Sequence, residues 1–250
     1  MNTTESPAYV QLTLNIKLRD SSTFDNYLGD LNAAKVRMLQ AALSQKLQSK
    51  SVSSATAAAA ELFYFVAGSK GVGKTHVLQA ACHETEKLGG RAFYLSLNDI
   101  QYLSPEVLSG CVDFDLVCID DIEFVVEKKA WEVAIFNAFN EIKTQGKALL
   151  VSGEQSPVHL PFTLPDLKSR LCSGVTIALS EAPDDLKSEI IRTRGKLRGI
   201  ELSEDVMTYI MKRSGRGMAD LVNILQKLDD VSLSAKRRLT VPFIKDTFGW

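Results

Sequence analysis

The stretch Gly68-Ser69-Lys70-Gly71-Val72-Gly73-Lys74-Thr75 decides the fold, because it follows an apolar strand and opens a helix. It fits the phosphate-binding pattern G-x-x-x-x-G-K-[ST]. Its glycines let the backbone curl so that successive N–H groups point at phosphate oxygens, while Lys74 reaches the β- and γ-phosphates. The Thr75 hydroxyl is the Mg²⁺ ligand of this pattern, and the dipole of the following helix favours an anion. We predict a site for ADP or ATP with Mg²⁺ that extends to His76.

Composition limits the class of protein. The chain has 250 residues, 45% of them hydrophobic and 24% charged, which is typical of a globular protein with one large core or a core and a smaller domain. A net charge of −1 gives no general electrostatic reason to bind DNA or a membrane. The four cysteines form no C-x-x-C pair, and the N-terminus lacks the basic start of a signal peptide. We therefore expect a cytoplasmic protein.

Hydrophobic periodicity predicts an α/β fold. Continuous apolar runs alternate with helix-like segments up to about residue 180, which is typical of a parallel sheet covered on both faces. The predicted strands are 62–66, 92–97, 116–119, 148–151 and 175–179, and the predicted helices between them include 75–87 and 130–143. Beyond Pro183 the apolar residues have helical spacing throughout. We expect an N-terminal peptide (1–20), an α/β nucleotide-binding core (21–180) and a small helical lid domain (181–250).

Acidic and polar residues follow two of the predicted strands. Asp120 and Asp121 end the apolar run 116–119, where a carboxylate can reach the Mg²⁺ shell directly or through water. We assign that role to Asp120, and to Asp121 the orientation of a water that attacks the γ-phosphate. Ser152 and Glu154 follow the next strand, and either could sense the γ-phosphate. An ordinary turn explains each of these two residues nearly as well.

A basic segment closes the predicted core. Leu164-Pro165-Asp166-Leu167-Lys168-Ser169-Arg170-Leu171 has no obvious acidic partner in the sequence. Arg170 could enter the nucleotide site of a neighbouring molecule as an arginine finger, which stabilises the charge of the transition state. Spacing alone favours an ordinary surface arginine.

Together these motifs resemble those of the AAA+ ATPases, and within them the family of the bacterial replication initiator DnaA. The resemblance covers nearly all of residues 20–250. The segment Thr23-Phe24-Asp25-Asn26-Tyr27 is similar to the N-terminal box by which this family approaches adenine, which adds Phe24 and Asn26 to the expected nucleotide site. Four segments resemble the regulatory-inactivator branch of the family more closely still, and they are 116–123 (LVCIDDIE), 131–136 (WEVAIF), 164–171 (LPDLKSRL) and 197–202 (LRGIEL).

The resemblance implies partners and a trans-acting role. Proteins of that branch carry an N-terminal peptide that binds the sliding clamp of DNA polymerase III (its β subunit), and Gln11, Leu12, Leu14 and Ile16 match it. The residue equivalent to Arg170 acts on ATP held by DnaA. The implied function is a nucleotide-bound regulator that, with the DNA-loaded clamp, stimulates hydrolysis of ATP on DnaA and prevents re-initiation.

One departure from the family pattern concerns the lid. Ala219 stands where the third lid helix usually carries a sensor arginine, and Arg216, between Gly215 and Gly217, fits a loop better than a helix. Turnover of ATP by this chain itself is therefore in question, and bound ADP would serve as a structural part.

Several alternatives stay open at this stage. A DnaA-like helicase-loader ATPase that acts on single-stranded DNA is the main one, although the overall charge speaks against it. A DnaA paralogue with another partner is a further one. The basic cluster 236–238 either contacts DNA beside the clamp or faces water, and the sequence leaves open a homodimer or higher oligomer.

Overall fold

A five-stranded parallel sheet lies at the centre of the structure, in the spatial order β2-β3-β4-β1-β5. In chain order the strands are β1 (Phe63–Ala67), β2 (Ala92–Ser96), β3 (Leu116–Asp120), β4 (Ala148–Gly153) and β5 (Val175–Ala178). Each coincides with a predicted strand to within two residues at either end. Strands β3 and β4 are buried along their whole length, which explains why their sequences are continuous apolar runs. The predicted α/β class is confirmed.

This computed structural model describes residues 22–27, 30–49, 62–215, 217–235 and 239–250. The predicted clamp-binding residues Gln11, Leu12, Leu14 and Ile16 lie outside the described residues. So do Arg216 and the basic cluster 236–238.

Helices cover both faces of the sheet. On one face, α1 (Asp30–Ser49) and α2 (Lys74–Lys87) pack against alternate residues of the strands, such as Val66 and Cys118. On the other, α3 (Lys129–Thr144) and α4 (Pro165–Cys172) bury residues such as Ile135 and Leu167. Because side chains alternate along a strand, the two faces form two separate apolar cores.

The C-terminal residues form a helical domain with its own core. Its helices are α5 (Asp184–Leu197), α6 (Glu204–Arg213), α7 (Met218–Ala235) and α8 (Val241–Phe248). Ser203 caps α6 by accepting a hydrogen bond from the Val206 amide at 3.4 Å, as an N-cap serine does. The apolar side chains that these helices bury together include Ile191, Met207, Ile210, Leu221, Leu225 and Ile244.

All four cysteines are unpaired thiols. Cys82 and Cys118 face each other in the core with their Sγ atoms 3.6 Å apart, and Cys111 is also buried. Burial raises the pKa of Cys118 and brings that of Cys111 to about 11. Cys172, at the end of α4, is exposed. Among the described helices, none combines the length and the apolar character needed to cross a membrane.

Candidate nucleotide-binding site

A cavity of about 680 Å³ opens where the carboxyl ends of the strands face the helical domain, a size typical of small-molecule sites. Carboxyl ends of parallel strands are the usual place for a ligand in such folds. The residues that line it include the loop and first turn of α2 (70–76), Asn26 and Tyr27 of the N-terminal segment, acidic residues at the ends of β3 and β4, and the lid residues Arg194, Ala219 and Asn223.

The loop before α2 has the geometry that phosphate binding requires. Gly71 and Gly73 have φ values of 88° and 101°, a region that favours glycine. Gly73 precedes α2 and has no side chain to cap the first amides of the helix, and residues 73–76 line the cavity. The Lys74 ammonium donates to the carbonyl oxygens of Gly68 and Ser69, at 2.8 and 3.3 Å.

The predicted loop residues divide into two groups. Lys70, Gly71, Val72, Gly73, Lys74, Thr75 and His76 line the cavity. Gly68 and Ser69 lie behind it, where a Cβ atom on Gly68 would come within 2.8 Å of the Leu179 carbonyl oxygen. Their contribution is to the loop itself, because their carbonyl oxygens accept hydrogen bonds from Lys74.

A hydrogen-bonded network holds the acidic end of β3. The Tyr94 hydroxyl donates to Asp120 Oδ2 at 2.7 Å, and the Ser152 hydroxyl donates to Asp120 Oδ1. Ser152 Oγ in turn accepts the Asp121 amide at 2.9 Å. Asp121 has a left-handed φ of 62°, which turns the chain out of the strand. Asp120 is thereby fixed at the back of the cavity and Asp121 at its wall.

The carboxyl of Asp121 is strongly perturbed. Burial, with a further contribution from the charges of Asp120 and Glu123, raises its pKa to about 7, and Lys74 opposes the shift. Burial also raises the pKa of Glu123. Two groups with perturbed pKa values on one cavity wall are typical of a functional site.

The two predicted sensors occupy different places. Glu154 lines the cavity, and its amide donates to Glu123 Oε2 at 3.2 Å. Ser152 is fully buried and absent from the cavity wall. Its hydroxyl is engaged by Asp120 and Asp121, so it sits behind the acidic pair and holds it. This differs from the prediction that Ser152 reaches a γ-phosphate.

His76 joins three parts of the site. Its Nε2 lies 2.8 Å from the Thr23 carbonyl oxygen, which only accepts, so the proton is on Nε2. Nδ1 is then an acceptor, and Arg194 Nη2 on α5 donates to it at 3.2 Å. Burial, together with the Arg194 charge, lowers the His76 pKa to about 4. The neutral imidazole therefore connects the N-terminal segment, the helix after the phosphate loop and the lid.

The N-terminal segment contributes one predicted residue to the cavity and one that was missed. Asn26 lines the cavity, whereas Phe24 packs against the core face that α1 and α2 cover. Tyr27 also lines the cavity, with its ring edge-on to His76 at 5.5 Å between centroids. Tyr27 and Asn26 therefore line the cavity, and Phe24 does not.

The lid reaches the phosphate loop directly. Ala219, at the start of α7, lies on the cavity wall, so the position that lacks the sensor arginine does face the site. Arg194 and Arg198 of the lid line the same cavity, and Arg198 donates to Gln226 Oε1 at 3.0 Å. Tyr94 and Arg194 were not predicted, since a tyrosine in a strand and an arginine on an amphipathic helix carry no distinctive pattern.

The donors near Thr75 and Asp120 suit Mg²⁺. Both residues line the cavity and offer only oxygen, the element that Mg²⁺ prefers. In the part of the chain that the structure describes, no three His, Cys, Asp or Glu side chains converge to hold a metal ion. Phosphate oxygens and water would therefore have to complete the coordination.

Arg170 lies apart from this cavity. It is exposed on α4, the helix that buries Leu167 and Leu171. It is not among the cavity residues, and its guanidinium has no hydrogen bond or ion pair within the described ranges.

Comparison with known proteins relates both parts of the chain to one group. Residues 20–178 match the family of the bacterial DnaA ATPase domain, and residues 184–248 match the lid domain of Hda. Domain III of the replication initiation protein DnaA from Thermotoga maritima has a similar structure, with a TM-score of 0.72 at 20% identity. That match covers 92% of this chain and 96% of the other.

Two further structures share the fold. AMPPCP-bound DnaA from Aquifex aeolicus matches with a TM-score of 0.64 at 23% identity, over 88% of this chain and 69% of that one. The Holliday junction branch migration motor RuvB from Thermotoga maritima matches with a TM-score of 0.62 at 18% identity, over 93% and 72%. At these identities the structural likeness shows the fold alone.

Proposed function

Because this chain belongs to the DnaA-related AAA+ family and carries an Hda-type lid, we propose that it regulates replication initiation by acting on DnaA. In this proposal it holds ADP or ATP in its own cavity and stimulates hydrolysis of ATP bound to DnaA. The DNA-loaded sliding clamp recruits it and so restricts the reaction to the time after replication has begun. Its four unpaired cysteines fit a reducing cytoplasm, where this reaction would take place.

The nucleotide would be held from three sides. The amides of residues 70–75 and the Lys74 ammonium would bind the phosphates. Tyr27 and Asn26 are placed for the adenosine end, while Arg194 would close over the nucleotide from the lid. Thr75 and Asp120 would hold Mg²⁺, which supplies charge neutralisation at the phosphates. Since the lid and the loop both contact the cavity, a bound nucleotide would fix the lid on the core.

The single observation that carries the proposed activity is the position of Arg170. An arginine finger must project from one molecule into the nucleotide site of another, where it stabilises transition-state charge. Arg170 is exposed, lies on a helix anchored in the core, and stands away from its own cavity. These are the properties of a residue that acts in trans.

The lid supports weak turnover by this chain itself. With Ala219 facing the cavity, α7 offers no cation at that position. We propose that the nucleotide here has a mainly structural role.

Recruitment by the clamp rests on the N-terminal residues Gln11, Leu12, Leu14 and Ile16. A short extended peptide of this kind would place alternate apolar side chains in a groove of the clamp. The order of events would then be clamp binding, contact with DnaA, and insertion of Arg170.

The test measures phosphate release from ATP-bound DnaA in the presence of DNA-loaded clamp. Wild-type protein is compared with the variants Arg170→Ala and Lys168→Ala. Lys168→Ala is the matched control, because it removes a different positive charge from the same helix. We expect a burst with wild type and Lys168→Ala, and a loss of about 10³-fold or more with Arg170→Ala. Omission of the clamp should abolish the burst.

Two results would contradict the proposal. If Arg170→Ala stimulated DnaA as strongly as wild type, Arg170 would not be an arginine finger. Hydrolysis by this protein alone, stimulated by single-stranded DNA and with no effect on DnaA, would favour the helicase-loader function instead.

A further inference from the structure

Glu132 is a buried carboxylate that the nucleotide site does not use. It lies in the first turn of α3 and is fully buried among the apolar side chains of that face of the sheet. An ionised group in such surroundings is costly unless its oxygens are hydrogen-bonded. Its retention there calls for a structural or functional reason.

Four donors from two other segments satisfy Glu132. Its Oε1 accepts the amides of Glu127 and Thr163, at 3.0 and 3.1 Å. Its Oε2 accepts the Thr163 hydroxyl at 2.8 Å and the Leu164 amide at 2.7 Å. One carboxylate therefore ties α3 to the turn that follows the acidic pair and to the two residues before α4.

These contacts fix the chain where α4 begins. Leu164 is the N-cap residue of α4 and offers no side-chain acceptor, while Pro165 at the first helical position has no N–H. The Glu132 carboxylate binds the two amides just before the helix, those of Thr163 and Leu164, and places a negative charge near the positive end of the helix dipole.

Two anchors fix the orientation of α4. Leu167 and Leu171 bury one side of this two-turn helix, which determines the side that faces solvent. At its N-terminal end, the Glu132 carboxylate binds the Thr163 and Leu164 amides, and Leu164 also packs against the core. Because Arg170 lies between the two buried leucines, its direction depends on both anchors.

We propose that Glu132 is the positioning residue for Arg170, holding α4 at the angle from which the guanidinium projects into a partner's nucleotide site. This inference rests on the proposed function. It adds a residue that acts through Arg170 and contacts neither this chain's nucleotide nor the partner's.

The variant Glu132→Gln tests this role, because one oxygen becomes an NH₂ group that faces two donors. Glu141→Gln, at an exposed position on the same helix, is the matched control for the change of charge. Each variant is titrated against ATP-bound DnaA with loaded clamp, and both the maximal rate and the half-saturating concentration are measured. Amide exchange of residues 166–172 is measured on the same proteins without DnaA.

We expect Glu132→Gln to lower the maximal rate by about tenfold or more while its half-saturating concentration stays within about threefold of wild type. Amides of α4 should exchange about tenfold faster, and those of α2 should not change. Glu141→Gln should match wild type in every readout. If Glu132→Gln does not fold, Thr163→Ala removes one of the four donors and should give the same pattern with smaller changes.

Other results would overturn the proposal. A maximal rate that is restored at high concentration of the variant would mean that only the folded fraction had fallen. Unchanged exchange in α4 would mean that Glu132 does not hold this helix. If wild type itself fails to stimulate DnaA, the proposed function is wrong, and the exchange measurement still decides whether Glu132 positions α4.

Discussion

Gly71 of the phosphate loop lies directly against Ala219 of the lid, so that a Cβ atom on Gly71 would come within 3.0 Å of the Ala219 amide nitrogen. The same atom would lie 3.2 Å from the Met218 Cβ. The start of α7 therefore rests on the loop itself, at the point where the sensor arginine is missing. Loop and lid form one continuous wall of the nucleotide cavity.

Gly71→Ala should weaken nucleotide binding through this contact. The new methyl group must displace α7, and the φ of 88° adds a strain of about 1 kcal/mol. We expect the Kd for ADP to rise about tenfold, measured by calorimetry.

Gly89→Ala is the matched control for that substitution. It has a similar φ of 78° but open space around the added Cβ. It should lose about 1 kcal/mol of stability without any change in ADP affinity. An equal loss of affinity in both variants would show that strain, and not the lid contact, is responsible.

Lys74→Ala should abolish most of the affinity for nucleotide. The ammonium now donates to loop carbonyls from a largely buried position, and a phosphate would replace those partners by charge-assisted hydrogen bonds. We expect the Kd for ADP to rise about 100-fold, which corresponds to roughly 3 kcal/mol. Lys87→Ala, at the exposed far end of α2, should bind ADP as wild type does. Retained binding by Lys74→Ala would argue against this cavity as the site.

Tyr94→Phe should reduce the effect of Mg²⁺ on nucleotide affinity. The Tyr94 hydroxyl orients the Asp120 carboxylate, and loss of such a partner typically costs about tenfold in metal affinity. The measurement is the ratio of the Kd values for ADP with and without Mg²⁺. Tyr102→Phe, whose side chain is 80% exposed, serves as control. If the ratio is unchanged in Tyr94→Phe, the orientation of Asp120 by Tyr94 does not contribute to Mg²⁺ binding.

His76 should make the stability of the nucleotide-free protein fall in mild acid. Its pKa is about 4 in the folded state against 6.5 unfolded, so only the unfolded chain binds a proton between these values. Stability is therefore lost as pH falls from 7 towards 4, by about 2 kcal/mol at pH 5.

His76→Gln keeps a donor for Thr23 but does not titrate in this range. Urea unfolding at pH 7 and pH 5 should show that its loss of stability is about 2 kcal/mol smaller than that of wild type. Parallel pH dependence in the two proteins would mean that His76 is protonated in the folded state as readily as in the unfolded one.

The elements of the core could be predicted because burial on both faces leaves a simple signal. The strands Leu116–Asp120 and Ala148–Gly153 are continuous apolar runs, and Gly73-Lys74-Thr75 indicates where α2 begins. Membership of the DnaA-related AAA+ family was likewise predicted from short motifs, and the family matches confirm it. These features depend on residues that are close in sequence.

The interior of the site depends on contacts between residues that are distant in sequence, and these contacts were not predicted. Ser152 meets Asp120 only because β4 lies beside β3, a strand order that periodicity does not determine. Arg194 and His76 are 118 positions apart and meet only once the lid is docked. Phe24 and Tyr27 both pack against the core that α1 and α2 cover, but only Tyr27, which was not predicted, also lines the cavity.

The distribution of the thiols has a practical consequence. Cys82, Cys111 and Cys118 are buried, and Cys172 is exposed two positions beyond Arg170 on the same helix. A maleimide dye added to the native protein would therefore attach at a single place, beside the surface that is proposed to meet DnaA. The unmodified chain thus carries its own attachment point for a fluorescent reporter of complex formation.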